Sequence, residues 1–210
     1  MRILLATTNK GKLSELRQLI DGLGLELVGL GVGESTDEIE IARTFAENAL
    51  LKARHYHGLL GMPAIADDSG LVVDALGGAP GILSARYAGP ASSDALRVAK
   101  LLADLKGIPP EDRRARFTCA AAMVWSGGEI VFHGEVAGVI LEHPRGHNGF
   151  GYDPIFFHEG LGKSFAELTQ AEKGEVSHRG KAFRKLRAWL GDSGVLDTLK
   201  SNDRIVTTAN

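Results

Sequence analysis

Short apolar runs alternate with helix-like patterns along this chain, and this alternation limits the fold more than any other feature. The run Ile3 to Ala6 predicts a first strand, followed by a helix that begins near Gly11. Residues 116–125 and 129–141 predict two longer strands that pair as an antiparallel hairpin. Together these patterns predict an α/β protein with a mixed sheet.

Several of the predicted helices begin at a Ser or Thr that can cap free backbone amides. Two of these starts have the capping-box pattern, in which a Glu three residues later completes the motif. The predicted caps are Thr44, Ser93, Thr169 and Ser177. The helix after Thr44 leads to the next strand, which ends in an acidic pair.

Charge and cysteine content exclude several classes of protein. The formal net charge of −2 over 210 residues argues against a broad basic surface, so we expect no nucleic-acid partner. The single cysteine, Cys119, lies in an apolar run and predicts a buried thiol in a reducing compartment. The first apolar run is too short for a signal peptide and no stretch approaches a membrane span, so we expect a cytoplasmic protein with no membrane partner.

Two adjacent carboxylates, Asp67 and Asp68, follow the apolar run Met62 to Ala66 and precede Ser69 and Gly70. We expect the strand to end here, because a glycine after a polar cluster permits the chain to turn. Two neighbouring negative charges repel each other, so the pair indicates a divalent metal site or a general base. A solvated turn is the alternative interpretation.

A second cluster lies between the first strand and the first helix, where free amides and the helix dipole favour anions. Its residues are Thr7, Thr8, Asn9, Lys10, Gly11 and Lys12. Two lysines and three polar side chains suit a polyphosphate, although the spacing is not that of a P-loop. In the alternative interpretation, Asn9 is only an N-cap and the lysines are solvated.

A third cluster is rich in glycine and aromatic residues, and consists of Gly149, Phe150, Gly151, Tyr152 and Asp153. The flanking glycines leave Phe150 room to stack on a planar base. The alternative is that Phe150 and Tyr152 only anchor a loop on the core.

A fourth cluster places cations near the start of a helix. Ser177 can cap this helix, and His178 and Arg179 then lie in its first turn, shortly after Lys173. Cations at a helix N-terminus oppose the dipole, so their position indicates a functional role.

The histidines do not have the spacing of a zinc site. His55 and His57 point to different faces of a predicted helix, and no paired cysteines are present. A hard cation on carboxylates fits better, and Mg²⁺ suits Asp68 together with one further acid and a nucleotide.

Taken together, these motifs resemble the inosine triphosphate pyrophosphatase family. The match runs in order from residue 2 to about residue 190. The matching segments are Thr7 to Lys12, Thr44 to Ala49, Ala66 to Leu71, Gly77 to Gly81 with Ser84 to Tyr87, Gly149 to Pro154, and Ser177 to Arg179. The resemblance implies an elongated central mixed sheet flanked by helices, with two lobes and the active-site cleft between them. It also implies a homodimer and Mg²⁺-dependent hydrolysis of aberrant purine nucleoside triphosphates (ITP, dITP, XTP) to monophosphate and pyrophosphate, with Mn²⁺ as a possible substitute.

By position, the resemblance makes Asp68 the catalytic base and a metal ligand, with Asp67 able to share these roles. The second metal ligand is Glu40, with Glu38 as the alternative, because the segment before Thr44 departs from the family pattern. The implied substrate-binding residues are Thr7 to Lys12, Ser69, Phe150, Gly151, Tyr152, Asp153, Lys173, His178 and Arg179. Residues 1–192 are expected to form one domain, and 193–210 a poorly ordered extension.

Two other functions are compatible with the sequence. The same chemistry could act on pyrimidine nucleotides, although the Phe150 and His178–Arg179 clusters favour purines. A non-catalytic nucleotide-binding or RNA-binding module would not need two acids beside an anion site, and would be more basic.

Overall fold

A computed structural model describes residues 1–30, 41–192 and 194–199 of the chain. The strands are β1 (Arg2–Leu5), β2 (Glu26–Gly29), β3 (Ala64–Val73), β4 (Arg114–Trp125), β5 (Gly128–Ile140), β6 (Phe156–His158) and β7 (Lys163–Ser164). The helices are α1 (Lys10–Ile20), α2 (Phe45–Leu60), α3 (Asp94–Asp104), α4 (Gln170–Val176) and α5 (His178–Leu190). None of the helices in the described ranges is long and apolar enough to cross a membrane.

Seven strands of the described chain form one sheet in the order β2-β1-β3-β4-β5-β6-β7. β1 pairs in parallel with β2 and with β3, while β6 pairs antiparallel with β5 and β7. β4 and β5 are neighbours joined only by Ser126 and Gly127, and so short a connection can join only antiparallel strands. The predicted mixed sheet, α/β class and hairpin are confirmed.

The chain divides into two units, and the division passes through β3, β4, β5 and α5. Unit 1 consists of Met1–Asp68, Ala120–Gly134 and Lys181–Asn210, and unit 2 of Ser69–Cys119 and Glu135–Gly180. The core of unit 1 combines small residues of α2, such as Ala49 and Ala53, with strand residues such as Leu4 and Ala66. The core of unit 2 combines aliphatic side chains with several aromatic rings, and the ring centroid of Phe117 lies 4.6 Å from that of Phe156.

The predicted caps all lie at helix starts. Thr44, Ser93 and Thr169 each accept a hydrogen bond from the backbone of the helix that follows. Ser177 Oγ accepts from the Gly180 N–H at 3.0 Å in the first turn of α5. Both halves of the capping box are present at Thr169. At Thr44, the carboxylate of the following Glu accepts a hydrogen bond from the threonine hydroxyl.

The expectation that the strand ends at the acidic pair is wrong. β3 runs for ten residues and includes Asp67, Asp68, Ser69 and Gly70. Beyond Gly70, apolar residues follow, and Leu71 and Val73 are buried on either side of a less buried residue. This alternation is typical of a strand, so the strand continues past the acidic pair. The alternative of a solvated turn is wrong for the same reason, and because both carboxylates are buried.

Parts of two predictions fall on residues outside the described ranges. Glu38 and Glu40 lie in the gap between residues 30 and 41, and Ser193 and residues 200–210 are also outside. Residues 194–199 are helical and Leu199 is buried. The predicted domain of 1–192 and the poor order of the extension beyond it stay predictions.

Candidate active site

The loop between β1 and α1 is shaped by its own polar side chains. Asn9 is the N-cap of α1, and its Oδ1 accepts from the Lys12 N–H at 3.0 Å. The hydroxyl oxygen of Thr7 accepts in turn from the Asn9 N–H at 3.3 Å. The capping role considered for Asn9 is therefore present, and it satisfies one of the free amides of the first turn.

The two lysines of this loop have different environments. Lys10 is exposed, as is Thr8 beside it in the loop. Lys12 is mostly buried, with its Nζ 3.3 Å from Oδ2 of Asp67, whose side chain has no exposed surface. The alternative interpretation of solvated lysines thus holds for Lys10 and is wrong for Lys12.

The two acids on β3 point in opposite directions, because successive side chains of a strand lie on opposite faces of the sheet. Their contacts agree with this geometry. Asp67 pairs with Lys12 of α1, whereas Asp68 Oδ2 accepts from Asn48 Nδ2 of α2 at 3.0 Å. They are 1% and 5% exposed, respectively. The argument that the two carboxylates form one repelling pair is therefore wrong.

Two buried polar residues of α2, which the sequence interpretation missed, complete this cluster. Asn48 contacts Asp68, and Lys52 Nζ donates to the main-chain oxygen of Asp67 at 2.6 Å. The signal for both was present in the sequence, because they share the helix face of Phe45, Ala49, Ala53 and Tyr56. An amide and an ammonium on an apolar face need buried partners, and the acidic strand provides them.

The candidate metal site is described only in part. Within residues 1–30, 41–192 and 194–199, no three His, Cys, Asp or Glu side chains come together as a metal centre. Asp68 lies in the described chain, whereas Glu40 and Glu38 lie outside it. A buried carboxylate with an amide donor is a hard oxygen ligand of the kind that Mg²⁺ accepts when substrate phosphates supply further oxygens.

The Phe150 loop belongs to unit 2 and is held by a buried carboxylate. Asp153 Oδ2 accepts from the Phe150 N–H at 2.9 Å and from Lys173 Nζ at 2.5 Å. Gly149 has a φ of +74°, and a Cβ there would lie 2.1 Å from the same oxygen of Asp153. The close approach of Asp153 is therefore a reason for glycine at position 149 that differs from the predicted one, which was room for Phe150 to stack on a base.

Two further contacts anchor this loop. Tyr152 is buried and its hydroxyl donates to the Ser84 main-chain oxygen at 2.9 Å. Burial also raises the pKa of Tyr152, which keeps the hydroxyl a donor. Asp94 in the first turn of α3 accepts from the Gly151 N–H at 2.7 Å. The anchoring role is therefore present for the Tyr152 side chain, and Asp94 is a contact that the sequence interpretation missed.

The ring of Phe150 is half-buried and lies against two cations. Lys173 Nζ is 4.7 Å from its centroid and Arg179 Cζ is 5.6 Å away. Both cations are themselves buried. Such cation–π contacts fix the ring and keep positive charge near it.

The first turn of α5 carries the other predicted residues. Arg179 Nη2 donates to Ser69 Oγ at 3.4 Å. His178 is buried, and its ring stacks on Phe117 with centroids 4.6 Å apart. Contacts within unit 2 therefore link five residues that the sequence singled out, namely Ser69, Arg179, Phe150, Lys173 and Asp153. His178 precedes Arg179 in the chain.

Comparison with known proteins decides the family. The Ham1 family model matches residues 3–189. The chain belongs to the Ham1 family. A dITP/XTP pyrophosphatase of Yersinia pseudotuberculosis is 52% identical over 198 residues, covering 91% of this chain and 99% of that protein. A dITP/XTP pyrophosphatase of Geobacter sulfurreducens is 48% identical, covering 92% of this chain and 98% of that protein.

Solved Ham1 structures agree with this assignment. The Ham1 protein of Staphylococcus aureus is 40% identical, with a TM-score of 0.80 and coverage of 90% of this chain and 98% of that one. A HAM1 protein from Coxiella burnetii is 39% identical, with a TM-score of 0.81 and coverage of 92% and 100%. The resemblance drawn from the motifs is confirmed, because relatives in this family have the name dITP/XTP pyrophosphatase.

Proposed function

We propose that this Ham1 protein hydrolyses aberrant purine nucleoside triphosphates, namely dITP, XTP and ITP, to the monophosphate and pyrophosphate. The observation that carries the proposal is the buried Asp68, which accepts a hydrogen bond from Asn48. Asp68 lies on the same strand as Asp67, which pairs with Lys12. Relatives at about half identity have the name dITP/XTP pyrophosphatase, which supports the same chemistry.

The cluster in unit 1 is proposed to take the phosphate end of the nucleotide. Lys10 and Lys12 supply positive charge at the start of α1, where the amides of the first turn favour an anion. Thr7, Thr8, Asn9 and Gly11 shape this loop. Lys52 of α2 adds a third cation to this cluster, through its hydrogen bond to the main-chain oxygen of Asp67. Fixed charges of this kind stabilise negative charge that develops as the phosphoanhydride bond breaks.

Asp68 is proposed as the group that accepts the proton of the attacking water. The new bond forms between the water oxygen and the α-phosphorus, and the bond to the β-phosphate breaks and releases pyrophosphate. Asp67 is less suited to this role, because its carboxylate is already paired with Lys12. Proton transfer to a positioned base contributes about 10² to 10⁴ in rate.

A divalent cation, Mg²⁺ or Mn²⁺, is proposed to bind Asp68 together with Glu40 or Glu38. When bound, it would offset negative charge on the triphosphate oxygens. The oxygen ligands favour a hard cation over Zn²⁺.

The cluster in unit 2 is proposed to take the base. Phe150 offers an aromatic face, and its cationic neighbours Lys173 and Arg179 restrict how the ring moves. Hydrogen bonds from the main chain and from His178 or Arg179 would pair with a 6-oxo group. Adenine has an amino group there, so buried donors would be left unpaired and ATP would be rejected. Ser69, Tyr152 and Asp153 support this cluster through the contacts described above.

The decisive experiment is a substrate panel with separate detection of pyrophosphate and orthophosphate. Purified protein with Mg²⁺ should release pyrophosphate from dITP, XTP and ITP, and much less from ATP or from pyrimidine triphosphates. Preference for a pyrimidine triphosphate would favour the first alternative function. Tight nucleotide binding without turnover in Mg²⁺ would favour the non-catalytic module.

Two finer proposals accompany the activity. A homodimer is proposed from the family resemblance alone, and sedimentation of the purified protein tests it. A reducing compartment such as the cytoplasm is proposed from the cysteine content of the sequence, which is the single, buried Cys119.

A further inference from the structure

Asn48 occupies an unusual position for an amide. It lies on the face of α2 that packs on the unit 1 core, and its side chain has no exposed surface. Its Nδ2 donates to Asp68 Oδ2 at 3.0 Å, and its Oδ1 accepts from the Ala42 N–H at 2.8 Å. One side chain thus bonds the proposed catalytic carboxylate and the chain before α2.

These two partners determine which way the amide points. Exchanging its oxygen and nitrogen would set an oxygen against the Asp68 carboxylate and an NH₂ group against the Ala42 N–H, and both contacts would be repulsive. Asn48 therefore has a single orientation, and its Nδ2 points toward Asp68.

We propose that Asn48 is a positioning residue for Asp68. Its amide holds the plane of the carboxylate so that the oxygens keep one direction toward the metal and the substrate phosphates. The inference rests on the proposed function, because it assigns Asp68 the role of base and metal ligand.

The chemistry of an amide suits this role. A lysine or arginine at this position would place a positive charge directly on Asp68 and weaken it as a base and as a ligand. An amide orients the carboxylate with a neutral hydrogen bond. Outer partners of this kind typically contribute about 10- to 100-fold to activity or metal affinity.

Two substitutions separate the contacts of Asn48. Asn48→Leu keeps a similar volume and removes both hydrogen bonds. Asn48→Asp keeps an acceptor for the Ala42 N–H and replaces the donor with a second carboxylate beside Asp68, where like charges repel. His55→Leu, at an exposed position of the same helix, is the matched control.

The first readout is the rate of pyrophosphate release from ITP with Mg²⁺. Both Asn48 variants should lower kcat by about 10- to 100-fold and change KM only a few-fold, whereas His55→Leu should match the parent. A residue that only stabilised the fold would lower the melting temperature and leave kcat of the folded fraction unchanged. If Asn48→Leu does not fold, Asn48→Asp provides the same comparison.

The second readout is calorimetric binding of Mn²⁺ in the presence of the α,β-methylene analogue of ITP, which is not cleaved. A double-mutant cycle combines Asn48→Leu with Asp68→Asn. If Asn48 acts through Asp68, Asn48→Leu should weaken Mn²⁺ binding in the parent and add little in the Asp68→Asn background.

Three results separate the possible failures. A parent protein that releases no pyrophosphate from ITP, dITP or XTP would overturn the proposed function. An active parent with Asn48 variants within twofold of its kcat would overturn the positioning role alone. Losses of Mn²⁺ affinity that add fully in the double mutant would also overturn it, because Asn48 would then act independently of Asp68.

Discussion

At the scale of single residues, the two neighbouring aspartates Asp67 and Asp68 have identical side chains but different surroundings. Asp67 is paired with Lys12 and its main chain is bonded by Lys52. Asp68, one residue later, lies on the other face of the strand against the neutral amide of Asn48. The Lys12 ammonium thus compensates charge at Asp67, while the Asn48 amide donates a hydrogen bond to Asp68. The two residues should therefore respond differently to the same substitution.

Asp68→Asn should retain nucleotide binding and lose about 10² to 10⁴ in kcat, because the amide keeps the shape and removes the base. Asp67→Asn should instead lower stability and raise KM, because Lys12 would lose its charged partner. Turnover of ITP, an isotherm for the uncleavable analogue and a thermal melt on each variant make the comparison. Equal kcat losses in the two variants would contradict the assignment of Asp68 as the base.

Arg179→Lys tests base recognition with little loss of charge or volume. Lysine lacks the planar fork of arginine, so the preference for ITP over ATP should fall by about tenfold or more. Lys10→Ala is the matching test of phosphate binding. It should weaken the binding of all triphosphates by a similar factor, and because Lys10 is exposed its loss disturbs no packing. The measurement is kcat/KM for ITP, GTP and ATP. If kcat/KM fell by the same factor for all three nucleotides in both variants, Arg179 and Lys10 would not act separately on the base and on the phosphates.

At the scale of elements, the Phe150 loop is held in place by the helices around it. Asp94 at the start of α3 bonds the Gly151 amide, and Lys173 of α4 bonds Asp153. Arg179 of α5 lies against the Phe150 ring. Residues of three helices thus hold this loop, and substitutions in the loop or at these contacts should change base binding.

Gly149→Ala should displace the loop, because the added Cβ would lie 2.1 Å from Asp153 Oδ2 at a φ of +74°. We expect a loss of about 1–3 kcal/mol in the free energy of unfolding and a higher KM for ITP. Gly162→Ala is the control, since Gly162 also has a positive φ, +64°, but no heavy atom within 4 Å of the added Cβ. Similar KM changes in both variants would show that backbone strain, and not the contact with Asp153, is responsible.

The capping box of α4 predicts a pH dependence of stability. Hydrogen bonds from the backbone and side chain of Thr169 lower the pKa of Glu172 below its ordinary value of 4.5. A lowered pKa means that this contribution is present above pH 4.5 and disappears as pH falls through the folded-state pKa. Between pH 6 and pH 3, parent protein should therefore lose more stability than Glu172→Gln in denaturant titrations. Glu142→Gln, at an exposed position after β5, should behave like the parent.

At the scale of the whole molecule, each unit has its own apolar core within the described residues. The proposed phosphate-binding loop and Asp68 belong to unit 1, and the proposed base-binding residues belong to unit 2. The two cores consist of apolar side chains. Metal should thus be needed for turnover and not for folding.

Excess chelator should abolish pyrophosphate release, and Mg²⁺ or Mn²⁺ should restore it. The far-UV circular dichroism and melting temperature should change little, because the described cores do not depend on a metal. Undiminished turnover in chelator would contradict the metal proposal. A chelator-induced loss of helix signal would show instead that metal supports the fold.

The sequence by itself determined the order and type of the main elements. Short apolar runs, helix-spaced apolar faces and Ser or Thr caps are local signals, and the strands, helices and caps follow them closely. The sequence also determined the family, because its motifs from Thr7 to Arg179 occur in the order of the family pattern and the family model matches residues 3–189. The glycines beside Phe150 marked this loop in the sequence, but the reason for Gly149, the close approach of the Asp153 carboxylate, was visible only in the structure.

Only the tertiary structure decided how the polar residues are partnered. The continuation of β3 through Asp67 and Asp68 places their side chains on opposite faces, whereas an adjacent pair and a glycine suggested a turn. Lys12, Asn48 and Lys52 meet these acids from positions distant in sequence, so no local pattern specifies which partner each one finds. The physical reason is that helix and strand signals act over a few residues, while a buried charge is compensated by whatever the fold brings within hydrogen-bonding distance.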